Sequence, residues 1–431
     1  MKKYFFTASV LLSSLLFSQT KEPEMKMNSI AEQYVKLILA VGQHDADYVD
    51  AYYGPKEWLD EAKTMKYQLT ALHDWTEALQ KRIAAVKVSS HDKLLALRKT
   101  YITKQLSAAH AKIEMLMGKK YSFDDEAKKL YDAAPPTYSE SHFKKILQEL
   151  DAILPDSGSI HERYEKFHNQ FVIPKEKIDT VFKAAITECR ARTKMHIALP
   201  DSESFVVEYV HDKAWSGYNW YQGGAHSLIQ VNIDYPIFID RAVDLAAHEG
   251  YPGHHVYNVL LESEMLKKHG WIEFCIYPLF SPQSLIAEGS ANYGIDVVLP
   301  NAERLKFEKE TLFPLAGLDT TQVEHYYKVQ ALTAKLAYAG NEAARGYLNG
   351  TITKEQAVDW LVTYSLSPRE RAEQRIRFIE KYRAYVINYN LGQDLVKQFV
   401  EKKSGKNATP EKRWDVFRDL ISSPRLPSEL K

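Results

Sequence analysis

Three histidines and a glutamate fall within eight residues of the sequence, at His248, Glu249, His254 and His255. Imidazole nitrogens and carboxylate oxygens are the ligands of a zinc site that keeps one coordination position open for water. A neighbouring carboxylate that does not bind the metal can take a proton from that water. A second carboxylate, Glu288, follows on another apolar segment with a helical pattern. These residues together predict a metal centre able to carry out hydrolysis.

The spacing of the histidines differs from the HExxH motif, in which two histidines four residues apart share one face of a helix. On a regular helix, His254 would point roughly 240° round from His248, and His255 would lie about 10 Å further along the axis. Pro252 has no N–H group to donate and its ring clashes with the carbonyl four residues earlier, so the helix must kink, bulge or break there. We expect this break to bring His254 back towards the metal, with His255 as the alternative ligand.

Two polar residues stand one helical turn from the predicted ligands. Asp244 precedes His248 by four residues, and Asn292 follows Glu288 by four. Residues four apart lie on the same face of a helix, so either side chain can hydrogen-bond a ligand and orient it. A plain position on a helix surface is the alternative for each.

The hydrophobic pattern predicts helices over most of the chain. Apolar residues recur at three- and four-residue steps before residue 195 and again after residue 300, with breaks at proline and glycine. Between these parts, residues 205–210 and 227–233 are rich in β-branched and aromatic side chains, which predicts strands. We therefore expect a mainly α protein: a large helical domain with a small β-sheet beside the metal-binding helices.

The N-terminus has the pattern of a signal peptide. Lys2 and Lys3 precede an apolar run from Phe5 to Phe17, and small residues follow. We predict a signal peptide over 1–20, with an uncleaved anchor as the alternative, then an N-terminal helical region over 21–198. A catalytic region over 199–431 would contain the short strands, the zinc-site helices and the C-terminal helices. The predicted location is the periplasm or the exterior, with no stable membrane span after cleavage.

Composition limits the partners of the chain. The 56 basic and 56 acidic residues balance, so nothing indicates a nucleic-acid partner. The two cysteines, Cys189 and Cys275, allow either one disulfide or two buried free thiols.

The string HEGYPGHH at 248–255, with the later AEG at 287–289, resembles the DUF885 family of bacterial proteins, which is grouped with the gluzincin-type zinc metallopeptidases. The segments YVDAYYGP at 48–55 and YVINYNLG at 385–392 also look like family segments. The resemblance implies a gluzincin-like zinc peptidase architecture, with Zn²⁺ held by His248, His254 and Glu288 and with Glu249 as the general base. The family usually has tryptophan after Glu-Gly, where this chain has Ser290.

Two further roles concern the substrate. An edge strand of the small sheet can pair with an extended peptide, and the resemblance points to Asn232 as a substrate-binding residue. A zinc peptidase also needs a hydrogen-bond donor where the oxyanion forms. Tyr389, in the family-like segment, is the first candidate for this donor; the others are Tyr385, His325 and Arg383.

The sequence thus predicts an exported zinc-dependent hydrolase that cleaves peptide bonds of short peptides, with water activated by zinc and Glu249 as general base. The alternative from another class is a non-catalytic exported helical binding protein whose metal site is lost or structural. The altered motif spacing and Ser290 slightly favour that alternative, whereas Glu249 argues against it, because a structural site needs no base beside its first ligand. Hydrolysis of a non-peptide amide or ester is a third possibility.

Overall fold

The computed structural model describes residues 5–213 and 215–431, with side chains from Glu22 onward. The signal peptide predicted over 1–20 lies outside the residues whose side chains are described. Within the described part, no helix has the length and apolar character needed to cross a membrane.

The chain is mainly α-helical with small β-sheets, which confirms the predicted fold class. The first half forms α1 (Phe5–Val41), α2 (Lys56–Met65), α3 (Leu69–Ala85), α4 (Lys93–Leu116), α5 (Phe123–Tyr131), α6 (Glu140–Asp151), α7 (Ile160–His168) and α8 (Ile178–Lys194). The second half forms α9 (Asp240–Leu245), α10 (His254–Leu260), α11 (Pro282–Val298), α12 (Asn301–Phe307), α13 (Phe313–Ala316), α14 (Val323–Ala334), α15 (Ala339–Leu348), α16 (Lys354–Tyr364), α17 (Arg369–Tyr382), α18 (Ile387–Ser404) and α19 (Pro410–Ile421).

Within residues 5–213 and 215–431, five strands form two small sheets: β1 (Val49–Tyr52), β2 (Ser204–Val210), β3 (Gly217–Gly223), β4 (His226–Asn232) and β5 (Ile276–Pro278). In the larger sheet β4 is central, parallel to β2 and antiparallel to β3. The predicted strands at 205–210 and 227–233 correspond to β2 and β4. The third strand of this sheet, β3, was not predicted, because it has a glycine at each end and glycine is typical of turns.

The smaller sheet ties the N-terminal part of the chain to the segment before α11. Strand β1 pairs antiparallel with β5. A buried ion pair lies in the same region, where Arg98 of α4 donates to Glu273 at 2.6 Å. One large cluster of buried apolar side chains has members from Met27 to Leu430, and a small second cluster consists of Tyr221, Ala225 and Val259. The two predicted regions therefore share one core; their boundary at 198/199 falls between α8 and β2 and remains a prediction.

Helix α11 packs against α18, and the two backbones nearly touch where Gly289 faces Gly392. A Cβ atom added to Gly289 would lie 2.3 Å from the carbonyl carbon of Gly392. Only glycine at both positions permits this approach. The close crossing brings Tyr385 and Tyr389 near the carboxylate of Glu288 on α11.

The two cysteines do not pair. Cys189 and Cys275 are buried free thiols, and burial raises the pKa of each thiol to about 12. The structure therefore has two buried free thiols and not the disulfide that the sequence also allowed.

Candidate metal centre

The helix that carries His248 and Glu249 breaks at Pro252. Helix α9 runs into a π-helical turn over 246–250, where the N–H of Tyr251 donates to the carbonyl of Ala246 at 3.0 Å. The Tyr251–Pro252 peptide bond is cis, and α10 begins at His254. The chain turns tightly enough that a Cβ atom on Gly253 would lie 1.8 Å from the carbonyl oxygen of His248, so glycine is required there.

The break brings three ligand atoms together. The Nε2 atoms of His248 and His254 lie 3.1 Å apart. Oε2 of Glu288 lies 3.3 Å from the first nitrogen and 3.7 Å from the second. Two ligand atoms on a tetrahedral zinc ion are about 3.3 Å apart, given metal–ligand bonds of about 2.0–2.1 Å. The three atoms are therefore spaced as one face of such a coordination shell.

The Glu288 carboxylate has one oxygen that the protein itself does not satisfy. Oε1 accepts a hydrogen bond from the Tyr385 hydroxyl at 2.7 Å. Oε2 is buried and, among the described residues, has no hydrogen-bond partner. A buried acceptor without a partner costs free energy unless something else occupies it. A cation held between this oxygen and the two histidines would remove that cost, so the residues fit a metal ion.

Hydrogen bonds behind the ligands fix their orientation. Nδ1 of His248 lies 2.9 Å from Oδ1 of Asn292, and the Asn292 amide donates to the carbonyl of Tyr389 at 2.9 Å. Because a carbonyl oxygen only accepts, Nδ1 must carry the imidazole proton. The lone pair of Nε2 then points to the centre, which is the tautomer a metal ligand needs.

Electrostatics at the centre favour positive charge. Burial lowers the pKa of His254, but the adjacent carboxylate of Glu288, with smaller contributions from Glu249 and Asp50, raises it to about 9. Burial raises the pKa of Glu288, but the adjacent imidazoles of His248 and His254 hold it well below its usual range. The carboxylates thus retain a cation here, which is a proton on His254 or a bound metal ion in its place.

Glu249 is buried beside the centre, and a carboxylate oxygen of Glu249 lies within 4.8 Å of ligand nitrogens of His248 and His254. Its backbone carbonyl accepts from the Asn219 amide of β3 at 2.7 Å. Within the described part of the chain, its carboxylate makes no hydrogen bond of its own. The oxygen of Glu288 is closer to both histidines, so Glu288 is the better placed ligand and Glu249 is left free to exchange protons.

The centre opens into a cavity of about 580 Å³. Strand β3 forms one wall through Gly217, Tyr218 and Asn219, and α17 and α18 form another. Tyr389 lines this cavity, and among the described residues its hydroxyl makes no hydrogen bond. Burial and the charge of Glu288 raise the pKa of Tyr389 well above its ordinary value, so this hydroxyl keeps its proton and can donate.

Other predicted residues have different partners. His255, the next residue round the helix, is fully buried and contacts Ser227 at 2.8 Å and Glu203 at 3.2 Å, away from the centre. Asp244 lines the cavity but pairs with Arg304 at 2.9 Å; His248 is oriented by Asn292 instead.

Asn232 and two of the weaker oxyanion candidates lie outside the cavity wall. The Asn232 amide donates to the carbonyls of Lys213 and Trp215, at 3.0 and 3.2 Å, and shapes the loop before β3. The ring of His325 packs on Phe167, and Arg383 donates to Glu126 at 2.7 Å.

Several cavity residues were missed by the sequence analysis. Asp50, on β1, belongs to the family-like segment at 48–55, which was a usable signal. Its carboxylate accepts from the Tyr218 hydroxyl, and burial, opposed by His254 and reinforced by Glu288 and Glu249, raises its pKa to about 7. The others gave no signal above their neighbours: Asn219, Asn258, Arg371 and Arg375.

Comparison with known proteins gives the fold only. No family model and no curated protein matches the chain, so the resemblance to DUF885 is not confirmed. The chain is similar to the crystal structure of an inferred lipoprotein from Colwellia psychrerythraea, with a TM-score of 0.53 and 16% identity over 84% of this chain and 68% of that one. An M32 carboxypeptidase from Deinococcus radiodurans R1 gives a TM-score of 0.39 and 13% identity over 96% and 94%. The first likeness shows a shared fold; the second is too remote to carry an argument.

Proposed function

We propose that the chain is an exported zinc-dependent hydrolase that cleaves peptide bonds of short peptides. The observation that carries this proposal is the convergence of two imidazole nitrogens and the unpartnered oxygen of Glu288 within 3.7 Å, on the wall of a cavity. Two histidines and a glutamate form the ligand set of one class of catalytic zinc site. Export rests on the predicted signal peptide.

Each residue then has a distinct role. His248, His254 and Glu288 would hold the metal, which, when bound, polarises a carbonyl and lowers the pKa of water. Glu249 takes the proton of the attacking water and passes it to the leaving amine. Tyr389 donates its hydroxyl proton in a hydrogen bond to the oxyanion that develops on the substrate carbonyl. Asn292 and Tyr385 hold the ligands in place.

The alternative, a binding protein with a structural metal site, is less well supported. A structural site is closed by protein ligands, whereas this centre faces a cavity of about 580 Å³. Glu249 also argues against this alternative, because a structural site needs no base beside its first ligand.

The test is Glu249→Gln, measured for both peptide hydrolysis and metal content. We expect turnover of a peptide library to fall by about 100-fold or more, because general-base catalysis is lost, while bound zinc is retained. The control is Glu324→Gln, since Glu324 is an exposed glutamate far along the chain on α14. Unchanged turnover in Glu249→Gln, or no hydrolysis by the zinc-loaded wild type, would refute the proposed function.

A further inference from the structure

Two arginines of α17, Arg371 and Arg375, line the same cavity as His248 and Glu288. They stand four residues apart, so both lie on one face of the helix. Each is half-buried. The other two arginines of α17, Arg369 and Arg377, are exposed and do not line the cavity. The cavity therefore has a positively charged wall in addition to its metal centre.

Neither guanidinium is paired with a carboxylate in the described structure. Arg371 stacks over the Tyr235 ring at 3.4 Å and donates to Gln374 at 3.1 Å. Arg375 lies over the rings of Phe378 and Tyr389, at 4.9 and 5.8 Å, and makes no hydrogen bond to the described residues. Stacking occupies the face of a guanidinium and leaves its N–H edge available for an anion.

Of the acidic residues that line the cavity, Glu249 and Glu288 belong to the metal centre, and the other two already have partners. Asp50 accepts from Tyr218, and Asp244 pairs with Arg304. Glu373, between the two arginines in sequence, lies 3.8 Å from Arg369 on the outer side of the helix. Desolvation lowers the pKa of Arg375, which reflects a cation that has lost water without gaining an anion.

The arginine wall adjoins the metal centre through Tyr389. The Arg375 guanidinium carbon is 5.8 Å from the Tyr389 ring. The carbonyl of the same tyrosine accepts from Asn292, whose other end holds His248. A peptide with its scissile carbonyl at the metal centre would thus have Arg375 in the same cavity, on the other side of the Tyr389 ring.

We propose that Arg371 and Arg375 bind the C-terminal carboxylate of the peptide, so that the chain removes residues from the C-terminal end. This inference rests on the proposed hydrolase function. A carboxylate accepts two parallel hydrogen bonds from a guanidinium, and such charge-assisted pairs are strong and directional. A free peptide terminus is the carboxylate that every short peptide supplies. An acidic side chain has the same chemistry, and the test separates the two.

The test measures binding of one alanine-rich tetrapeptide by titration calorimetry to the zinc-loaded Glu249→Gln protein, which is not expected to cleave it. The peptide is used free at both ends, N-acetylated, C-amidated and blocked at both ends, with a fifth form, blocked at both ends, that carries a glutamate side chain. We expect amidation to weaken binding by about 10-fold or more, and acetylation to have little effect.

Variants connect this preference to the arginines. Arg375→Met keeps the apolar stem but removes the charge, and it should reduce the acid-over-amide preference to less than about 2-fold. Arg371→Met should reduce it in part, and it serves as the second variant if Arg375→Met does not fold. Arg377→Met, on the outer surface, should keep the full preference.

Several outcomes would overturn the inference. If the free-acid and amidated peptides bind equally well, or if no peptide form binds, the arginines do not form a carboxylate site. Loss of binding on acetylation would instead assign recognition to the peptide amine, with Asp50 as its partner. Full binding of the blocked glutamate peptide would assign the site to an acidic side chain.

Binding and cleavage assays on the wild type distinguish failure of the carboxylate site from failure of the proposed hydrolase function. If it binds the acid better than the amide but cleaves neither, the hydrolase proposal fails and the carboxylate site stands. If it cleaves acid and amide equally, the hydrolase stands and the carboxylate site fails.

Discussion

At the scale of single residues, the centre depends on how each ligand is held. His248 projects its Nε2 atom to the centre because Asn292 binds the opposite nitrogen at 2.9 Å. Residue type and spacing pointed to these two residues and to His254, Glu249 and Glu288, and the family resemblance implied which of them bind the metal. Spacing alone could not decide between His254 and His255, because that choice depends on the path of the backbone through Pro252 and Gly253.

Replacing Asn292 by alanine removes the acceptor that fixes the tautomer of His248. We expect zinc affinity to fall by about 10–100-fold, measured by competition with a chromophoric chelator. Asn407→Ala is the control, because Asn407 is exposed beyond the end of α18. An unchanged affinity in Asn292→Ala would show that this hydrogen bond does not orient the ligand.

At the scale of elements, the features that position the site follow from local breaks and close contacts. The sequence predicted the helix break at Pro252 and two of the three strands beside it. It missed β3, whose terminal glycines are typical of turns, although this strand forms the cavity wall and holds the carbonyl of Glu249 at 2.7 Å from Asn219. It also missed the arginines of α17, since a surface-like helix rich in charges does not reveal which face meets a cavity.

The close crossing of α11 and α18 predicts that a larger residue at Gly392 lowers the stability of the fold. A Cβ atom on Gly392 would lie 2.7 Å from the carbonyl oxygen of Leu285 and 2.9 Å from Cα of Gly289. Gly392→Ala should therefore force the helices apart and lower the free energy of unfolding by roughly 1–3 kcal/mol, measured by chemical denaturation.

The matched control is Gly340→Ala in α15, where an added Cβ atom meets nothing within 4 Å. Alanine there should stabilise the helix by roughly 0.4–1 kcal/mol. If both substitutions have the same sign, the close approach of α11 and α18 does not determine the packing.

At the scale of the whole molecule, one buried carboxylate joins several elements behind the centre. Glu203, before β2, accepts from Arg190 of α8 at 3.0 Å, from Tyr251, and contacts His255 of α10 at 3.2 Å. Burial raises its pKa, but these hydrogen bonds outweigh burial and hold the pKa at about 2.

A depressed pKa in the folded state means that Glu203 stabilises the fold when ionised. The ordinary pKa of a glutamate, near 4.5, applies to the unfolded chain, so its contribution is complete above that pH and is lost as the pH falls towards 2. Glu203→Gln should lower the free energy of unfolding by roughly 2 kcal/mol at pH 7, and by much less at pH values near 2. Urea denaturation of the wild type and of Glu203→Gln across this pH range measures both changes in the free energy of unfolding. If the substitution lowers this free energy equally at all pH values, the ionised carboxylate of Glu203 does not stabilise the fold.

The central claim is that His248, His254 and Glu288 hold one metal ion, and metal content tests it most directly. The measurement is zinc per chain by mass spectrometry, after zinc addition and dialysis, for the wild type, His254→Ala and His255→Ala. We expect about one zinc per chain in the wild type and in His255→Ala, and loss of zinc in His254→Ala. This ligand assignment is wrong if the wild type retains no metal, or if His255→Ala loses zinc while His254→Ala keeps it.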